Sequence, residues 1–220
     1  NGLKEEDVSF TEGAIKEIIE HYTMEAGVRQ LERLIASCCR KVVVDLLDDP
    51  SKVKPVVIDE TLVQKYLGIE LFEGTKKEKE NQIGVVTGLA YTEFGGDILP
   101  IEVTYFPGKG GLVLTGKLGD VMKESAEIAL DFVRSNASKY GIPDEIFQKN
   151  DIHIHVPEGA VPKDGPSAGI AITTAIISCL SKTPVDANVA MTGEVTLRGK
   201  ALPIGGLREK SLAALRCGIK

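Results

Sequence analysis

The octapeptide Pro162-Lys163-Asp164-Gly165-Pro166-Ser167-Ala168-Gly169 runs directly into an apolar stretch, 170–180. Its prolines and glycines make a tight loop, and the apolar run after it reads as a buried helix. Ser167 therefore sits where a loop becomes a helix. The first N–H groups of a helix have no partner within it and carry partial positive charge. Such donors can hold a developing oxyanion, so a hydroxyl there has the surroundings of an acyl-transfer nucleophile. The same position also suits a serine that only caps the helix.

A serine nucleophile needs a base, and the usual partner is histidine. His21 lies in the helix-like segment 12–22, whose apolar spacing is Ile15, Ile18, Ile19, Tyr22, and reads as a surface histidine. His153 and His155 share one face of a period-2 strand, 151–156, with Ile152, Ile154 and Val156 on the other. An H-x-H pair can ligate a metal, but no carboxylate or cysteine spacing completes a site, so no metal is expected. A polar, partly exposed sheet face is the simpler reading, with His155 as the reserve base.

Lysine is the alternative base. The segment 207–216 follows Gly205-Gly206 and precedes Gly218, as a helix would. At about 100° per residue, Leu207, Ser211, Ala214 and Leu215 share one side and Arg208, Glu209 and Arg216 the other. Lys210 falls beside Ala214 and Leu207, away from the other charges. Burial there would disfavour its ammonium form, and only a neutral amine can take a proton from serine. An amphipathic helix can equally let such a lysine snorkel to solvent.

Three motifs stand in order: Pro162–Gly169, then Met191-Thr192-Gly193-Glu194-Val195-Thr196-Leu197-Arg198-Gly199, then Leu202-Pro203-Ile204-Gly205-Gly206-Leu207-Arg208-Glu209-Lys210. Together they resemble the proteolytic domain of Lon proteases, ATP-dependent serine endopeptidases with a Ser–Lys dyad. The resemblance implies Ser167 as nucleophile and Lys210 as general base. It implies Thr192 as a hydroxyl that helps hold the lysine amine, and Asp164 as an acidic residue close to the dyad that gates it. Ala168 lends its backbone beside the nucleophile. Arg208 departs from the lysine of the family pattern, at a position that is not the base.

The chain is expected to divide into 1–72, a connector 73–82 and 83–220. The polar run Gly74-Thr75-Lys76-Lys77-Glu78-Lys79-Glu80-Asn81 marks the connector. Before it, Ser9 or Thr11 caps a first helix, Ser9 with Glu12 fitting a capping box. A long helix then carries Leu31, Leu34, Ile35, Cys38, Val42 and Leu46 on one stripe. An extended piece, 55–58, and a helix, 60–67, follow. This part resembles the all-helical AAA+ lid subdomain of Lon, and the resemblance makes Arg29 the sensor arginine that reaches the γ-phosphate of bound nucleotide. After the connector, strands are expected at 83–92, 97–105, 111–115 and 151–156, with extended segments 185–192 and 196–203. Helices are expected at 121–140, 170–180 and 207–216. The fold class is therefore α+β, a helical lid followed by a mixed α/β proteolytic domain.

With 43% hydrophobic and 26% charged residues, the 220-residue chain can bury a sizeable core. A net charge of −6, with lysines interleaved among acids, argues against a polyanion partner, so nucleic acid is unsupported. The apolar runs are too short to span a bilayer. Cys38, Cys39, Cys179 and Cys217 form no CxxC and read as small reduced core residues of a cytosolic or matrix protein; a bacterial cytoplasm is expected ahead of a mitochondrial matrix. Gly111-Leu112-Val113-Leu114-Thr115-Gly116-Lys117-Leu118 nearly spells a phosphate loop, but it ends in leucine where magnesium needs a hydroxyl. ATP and Mg2+ would then bind upstream of residue 1, and the resemblance makes the chain an interior piece of a longer subunit. It further implies unfolded polypeptides as substrates and a homo-oligomer, commonly a hexameric ring. An inactive scaffold and a Ser–Lys hydrolase of small amides are the other classes.

Overall fold

A computed structural model of the chain describes residues 2–51, 54–72, 76–157 and 163–219. It forms two compact units, Asn1–Gly74 and Thr75–Lys220. Pro162 of the serine loop and Glu73, Gly74 and Thr75 of the expected connector lie outside the described residues.

The first unit runs β1 (Val8–Phe10), α1 (Glu12–Tyr22), α2 (Arg29–Asp48), β2 (Val56–Ile58) and α3 (Glu60–Leu67). Helical periodicity read from the sequence carries over in part: Ile18, Tyr22, Cys38, Val42 and Val63 are buried together with Ile58, but in α1 it is Ala14 that is buried and Ile19 that is exposed. Leu31, Leu34, Ile35 and Leu46 pack around them. One expectation is corrected and one choice is settled. The unit is not all-helical, because β1 and β2 pair in parallel, Ser9 beside Val57. Ser9 therefore belongs to a strand, and of the two expected caps it is Thr11 whose hydroxyl accepts the Ala14 N–H, at 3.0 Å. The start of α2 is capped from upstream, the Glu25 carboxylate accepting the N–H groups of Gln30 at 2.8 Å and Leu31 at 2.9 Å. Burial pushes the Cys38 thiol up to about 11, as suits an inert core residue.

The second unit contains β3 (Val85–Thr92), β4 (Gly95–Pro107), β5 (Leu112–Thr115), α4 (Asp120–Ser135), α5 (Ile146–Lys149) and β6 (Asn150–His155). There follow α6 (Gly169–Ser181), β7 (Ala190–Met191), β8 (Glu194–Val195), β9 (Ala201–Leu202) and α7 (Leu207–Arg216). Five strands form a mixed sheet in the order β5-β6-β4-β3-β7, with parallel pairs at both ends and antiparallel pairs in the middle. β8 and β9 make a separate antiparallel pair. Period-2 alternation gives the sheet two apolar faces. On one, Val86, Leu99, Ile101 and Val103 join Ala171, Ile172, Ala175 and Ile176 of α6 and Met122, Ala126 and Ala129 of α4. On the other, Leu89 and Ile98 meet Ile219, with Ala214 and Cys217 alongside. So α6 and α7 lie against opposite faces.

The sequence overreads three segments. The helix expected to reach residue 140 ends at Ser135, and a 3-10 turn covers Ala137–Tyr140. The strand expected over 185–192 shrinks to Ala190–Met191, since side chains take the preceding amides. Asn81 Oδ1 accepts from Ala187 N at 3.0 Å and Asp186 Oδ1 from Asn188 N at 2.9 Å, leaving only an isolated bridge from Val185 to Gln82. The segment 196–203 is a turn closed by Thr196 N donating to Lys200 O at 3.0 Å, followed by β9. Residues of the near-phosphate loop stand in β5, paired in parallel with β6. An extended strand is not the curled cradle of amides that a phosphate loop needs.

Ile176 is fully buried between the sheet and α4. Ile176→Ala is expected to destabilise the second unit by about 2–5 kcal/mol, through lost transfer energy and the cavity left behind. Denaturant unfolding against wild type measures it, and a loss under about 1 kcal/mol would mean that the core collapses around the gap.

Candidate active site

Ser167 lies in a single 3-10 turn, Pro166–Ala168, that leads into α6. Its hydroxyl caps no helix: neither the turn nor α6 has a side-chain cap. The turn is held from the side by the segment after β7. Gly193 N donates to Ser167 O at 2.8 Å, and the Thr192 hydroxyl donates to the same oxygen at 3.3 Å. Gly193 O in return accepts from Ile170 N at 3.0 Å, one of the amides that a helix start leaves open. A Cβ on Gly193 would overlap the tip of the Ile170 side chain, which would have to turn aside to keep this clasp. Ser125 of α4 closes the other side, its hydroxyl 3.4 Å from Pro166 O.

Lys210 arrives from the opposite face of the sheet, in the first turn of α7. Its side chain is 3% exposed. The helix faces differ from the sequence reading: Leu207 and Leu215 are exposed, and the buried side is Lys210 with Ala213. Tertiary packing therefore overrides the apolar stripe. The Lys210 amine lies 2.9 Å from Ser167 Oγ and 3.3 Å from Thr192 Oγ1. Both neighbours are hydroxyls, and among the described residues no carboxylate pairs with the amine. Burial pulls its pKa below the usual lysine value. The unpaired amides of the same first turn oppose a cation there as well.

The other expected site residues are placed differently. Ala168 is buried in the 3-10 turn beside Ser167. Asp164 is exposed, and its carboxylate accepts from Gly165 N at 2.8 Å and from Met122 N at 3.0 Å. These amides hold its carboxyl below the usual range. Met122 is in the first turn of α4, whose own N-cap is Gly119, so Asp164 supplies the capping carboxylate that glycine lacks. His153 and His155 are half-exposed, and the Thr115 hydroxyl sits between them, 2.8 Å from one ring and 2.7 Å from the other. Their strand face is polar, as its alternation indicates. His21 is half-buried in the first unit, its Nδ1 3.1 Å from Phe72 O and 3.3 Å from the Glu70 carboxylate. Arg29 begins α2 with an exposed side chain.

Sequence reasoning passed over Gly193, Ser125 and the Glu25 cap. Gly193 stands inside the Met191–Gly199 motif beside Thr192, so it carried a signal. Ser125 carried none, since a small residue on a helix face has many uses.

Comparisons with known proteins agree over the whole chain. The family described as the Lon protease (S16) C-terminal proteolytic domain matches residues 57–220, and the Lon protease AAA+ ATPase lid domain matches residues 1–56. The boundary between the two matches falls within β2. Lon protease of Mycoplasma mycoides subsp. mycoides SC is 61% identical over 218 residues, 99% of this chain and 27% of that protein. Lon protease of Haemophilus influenzae is 58% identical over 220 residues, covering all of this chain and 27% of its own length. The chain thus spans about a quarter of the curated relatives it matches. With a lid match, a proteolytic-domain match and full-coverage relatives at such identity, the chain belongs to the Lon protease family.

Proposed function

We propose that this chain carries the proteolytic centre of an ATP-dependent serine endopeptidase, with Ser167 as nucleophile and Lys210 as general base. The observation that supports it most is the 2.9 Å approach of a buried, carboxylate-free lysine amine to the serine hydroxyl. Neutral Lys210 takes the Ser167 proton as Oγ attacks the scissile carbonyl carbon. Backbone N–H groups of the Ser167–Ala168 turn hold the oxyanion, and one such donor is typically worth about 3 kcal/mol of barrier. The intermediate collapses, the C–N bond breaks, and the Lys210 ammonium returns the proton to the leaving amine. Water then attacks the acyl-enzyme, giving its proton to Lys210, and Ser167 Oγ leaves reprotonated.

Thr192 fits as the residue that aims the amine, because its hydroxyl faces both Lys210 Nζ and Ser167 O. Asp164 supports the reaction by anchoring the serine loop to α4, and gating remains its second role in this reading. The substrates are unfolded, misfolded and regulatory polypeptides, whose extended backbone can lie along the dyad. The complete subunit forms a homo-oligomer, a hexameric ring, in a bacterial cytoplasm. Among the described residues no helix is long and apolar enough to cross a membrane.

Nucleotide belongs to the part of the subunit preceding residue 1, with Mg2+ as its companion ion. Arg29 fits contact with it: the guanidinium is exposed, makes no ion pair among the described residues, and presents a fork suited to phosphate. Bound ATP would supply the energy for delivering polypeptide.

Ser167→Ala in the complete subunit is expected to abolish peptide cleavage while the unfolding midpoint stays near wild type; retained turnover ends the proposal. Lys210→Arg should be nearly as inactive, since guanidinium does not deprotonate.

The depressed Lys210 pKa has two consequences. The rate kcat/KM for a short peptide should rise with pH through an inflection below the lysine reference of 10.5. Stability should also climb with pH, because the unfolded chain binds more protons between the lowered native value and 10.5. The slope is at most about 1.4 kcal/mol per pH unit. Lys210→Met should flatten that slope and raise stability at neutral pH; urea midpoints across pH measure it, and an unchanged slope rejects the assignment.

Arg29→Ala should impair ATP-coupled degradation of a protein substrate and spare short-peptide cleavage. Equal loss of both would place Arg29 in folding.

A further inference from the structure

We propose that Gly96 is a positioning residue for Lys210: its missing side chain lets α7 settle against β4, which sets both the reach and the dryness of the lysine amine. The inference rests on the Ser167–Lys210 reading and adds to it what brings the amine into place.

Gly96 pairs with Tyr91 across the β3–β4 hairpin and faces the same side of the sheet as Ile98 and Leu89. Its φ is not among the positive ones, so backbone conformation does not demand glycine there. Space does. A Cβ on Gly96 would overlap the carbonyl of Glu209 and lie 3.0 Å from Lys210 N. The obstacle is helix backbone, which cannot swing aside like a side-chain tip. The same residue holds the far end of the helix, its carbonyl accepting from an Arg216 guanidinium N–H at 3.1 Å. At the near end a Cβ on Gly206 would stand 3.2 Å from Tyr91, so the helix start is seated on the neighbouring strand. α7 is thus registered on the β3–β4 ribbon at its start, its first turn and its end.

The partners of the Lys210 amine do not travel with α7. Ser167 belongs to the turn before α6, and Thr192 follows β7, and these two are bonded to each other. A side chain on Gly96 would move the lysine away from both. Lifting the helix would also open the contact to water, and hydration returns an amine toward its ordinary pKa. Distance and protonation therefore change together, which separates positioning from a general loss of fold.

The test compares wild type, Gly96→Ala and Arg216→Ala in the complete subunit, with two readouts. One is the pH dependence of short-peptide cleavage; the other is titration of Lys210 by its 13Cε resonance, which needs no activity. Gly96→Ala is expected to lower kcat about 100-fold with little change in KM, as an ångström of misplacement can do. The kinetic inflection and the Lys210 resonance should both shift upward toward 10.5, the lysine reference. Arg216→Ala adds no Cβ clash and should shift both in the same direction by less, so it carries the test if Gly96→Ala fails to fold. A near-wild-type kcat in Gly96→Ala overturns the inference, and so does any loss of rate with the Lys210 titration unmoved in both variants. Wild-type cleavage that survives Ser167→Ala counts instead against the dyad reading, so the two failures are distinguishable.

Discussion

A lysine amine held out of water without an acid to balance it is the constraint on which this structure turns. Lysine is almost never fully buried unless paired, because stripping water from an ammonium is costly. Lys210 is buried, and its neighbours are two hydroxyls. A carboxylate at that place would fix the charged form and silence the amine as a base. Two hydroxyls orient it and leave the neutral form accessible. The local instability of the cation is thus the property that suits it to accept a proton.

The rest of the second unit reads as support for that contact. α6 and α7 lie on opposite faces of one sheet, and neither alone brings the two groups together. The join is made after β7, which pairs over only two residues before Thr192 and Gly193 turn to clasp the serine turn. Small residues recur at these joins for one reason. Gly96 stands where helix backbone approaches too closely for a Cβ, and Gly193 where a Cβ would displace the tip of the Ile170 side chain. Asp164 does the opposite, reaching from the serine loop to the start of α4 and tying the loop to the helix that backs it.

The first unit has its own core and its own compactness. The lid-domain match ends at residue 56, within this unit, and the proteolytic-domain match takes up from residue 57. The exposed Arg29 on one unit and the buried Lys210 on the other illustrate two uses of a cation. A guanidinium keeps its charge in any surroundings, whereas an amine changes charge with burial.

Amphipathic periodicity by itself determined much of the framework. Glu12–Tyr22 and Glu60–Leu67 have the bounds their apolar spacing indicates, and the buried run after Ser167 is a helix. These are local properties, legible because burial of one face repeats along the chain. Loop and helix setting singled out Ser167 and Lys210 as candidates, and the family resemblance of the three motifs added Thr192. Segments where side chains compete for backbone amides were misread, as at Asp186 and Asn188. Only the tertiary structure decided that α7 turns Lys210 and Ala213 inward and leaves Leu207 and Leu215 in solvent. It alone brought residues 167, 192 and 210 to one point and turned the Asp164 carboxylate to α4. The physical reason is that a distance between two faces of a sheet depends on what packs between them, and no periodicity within one segment records it.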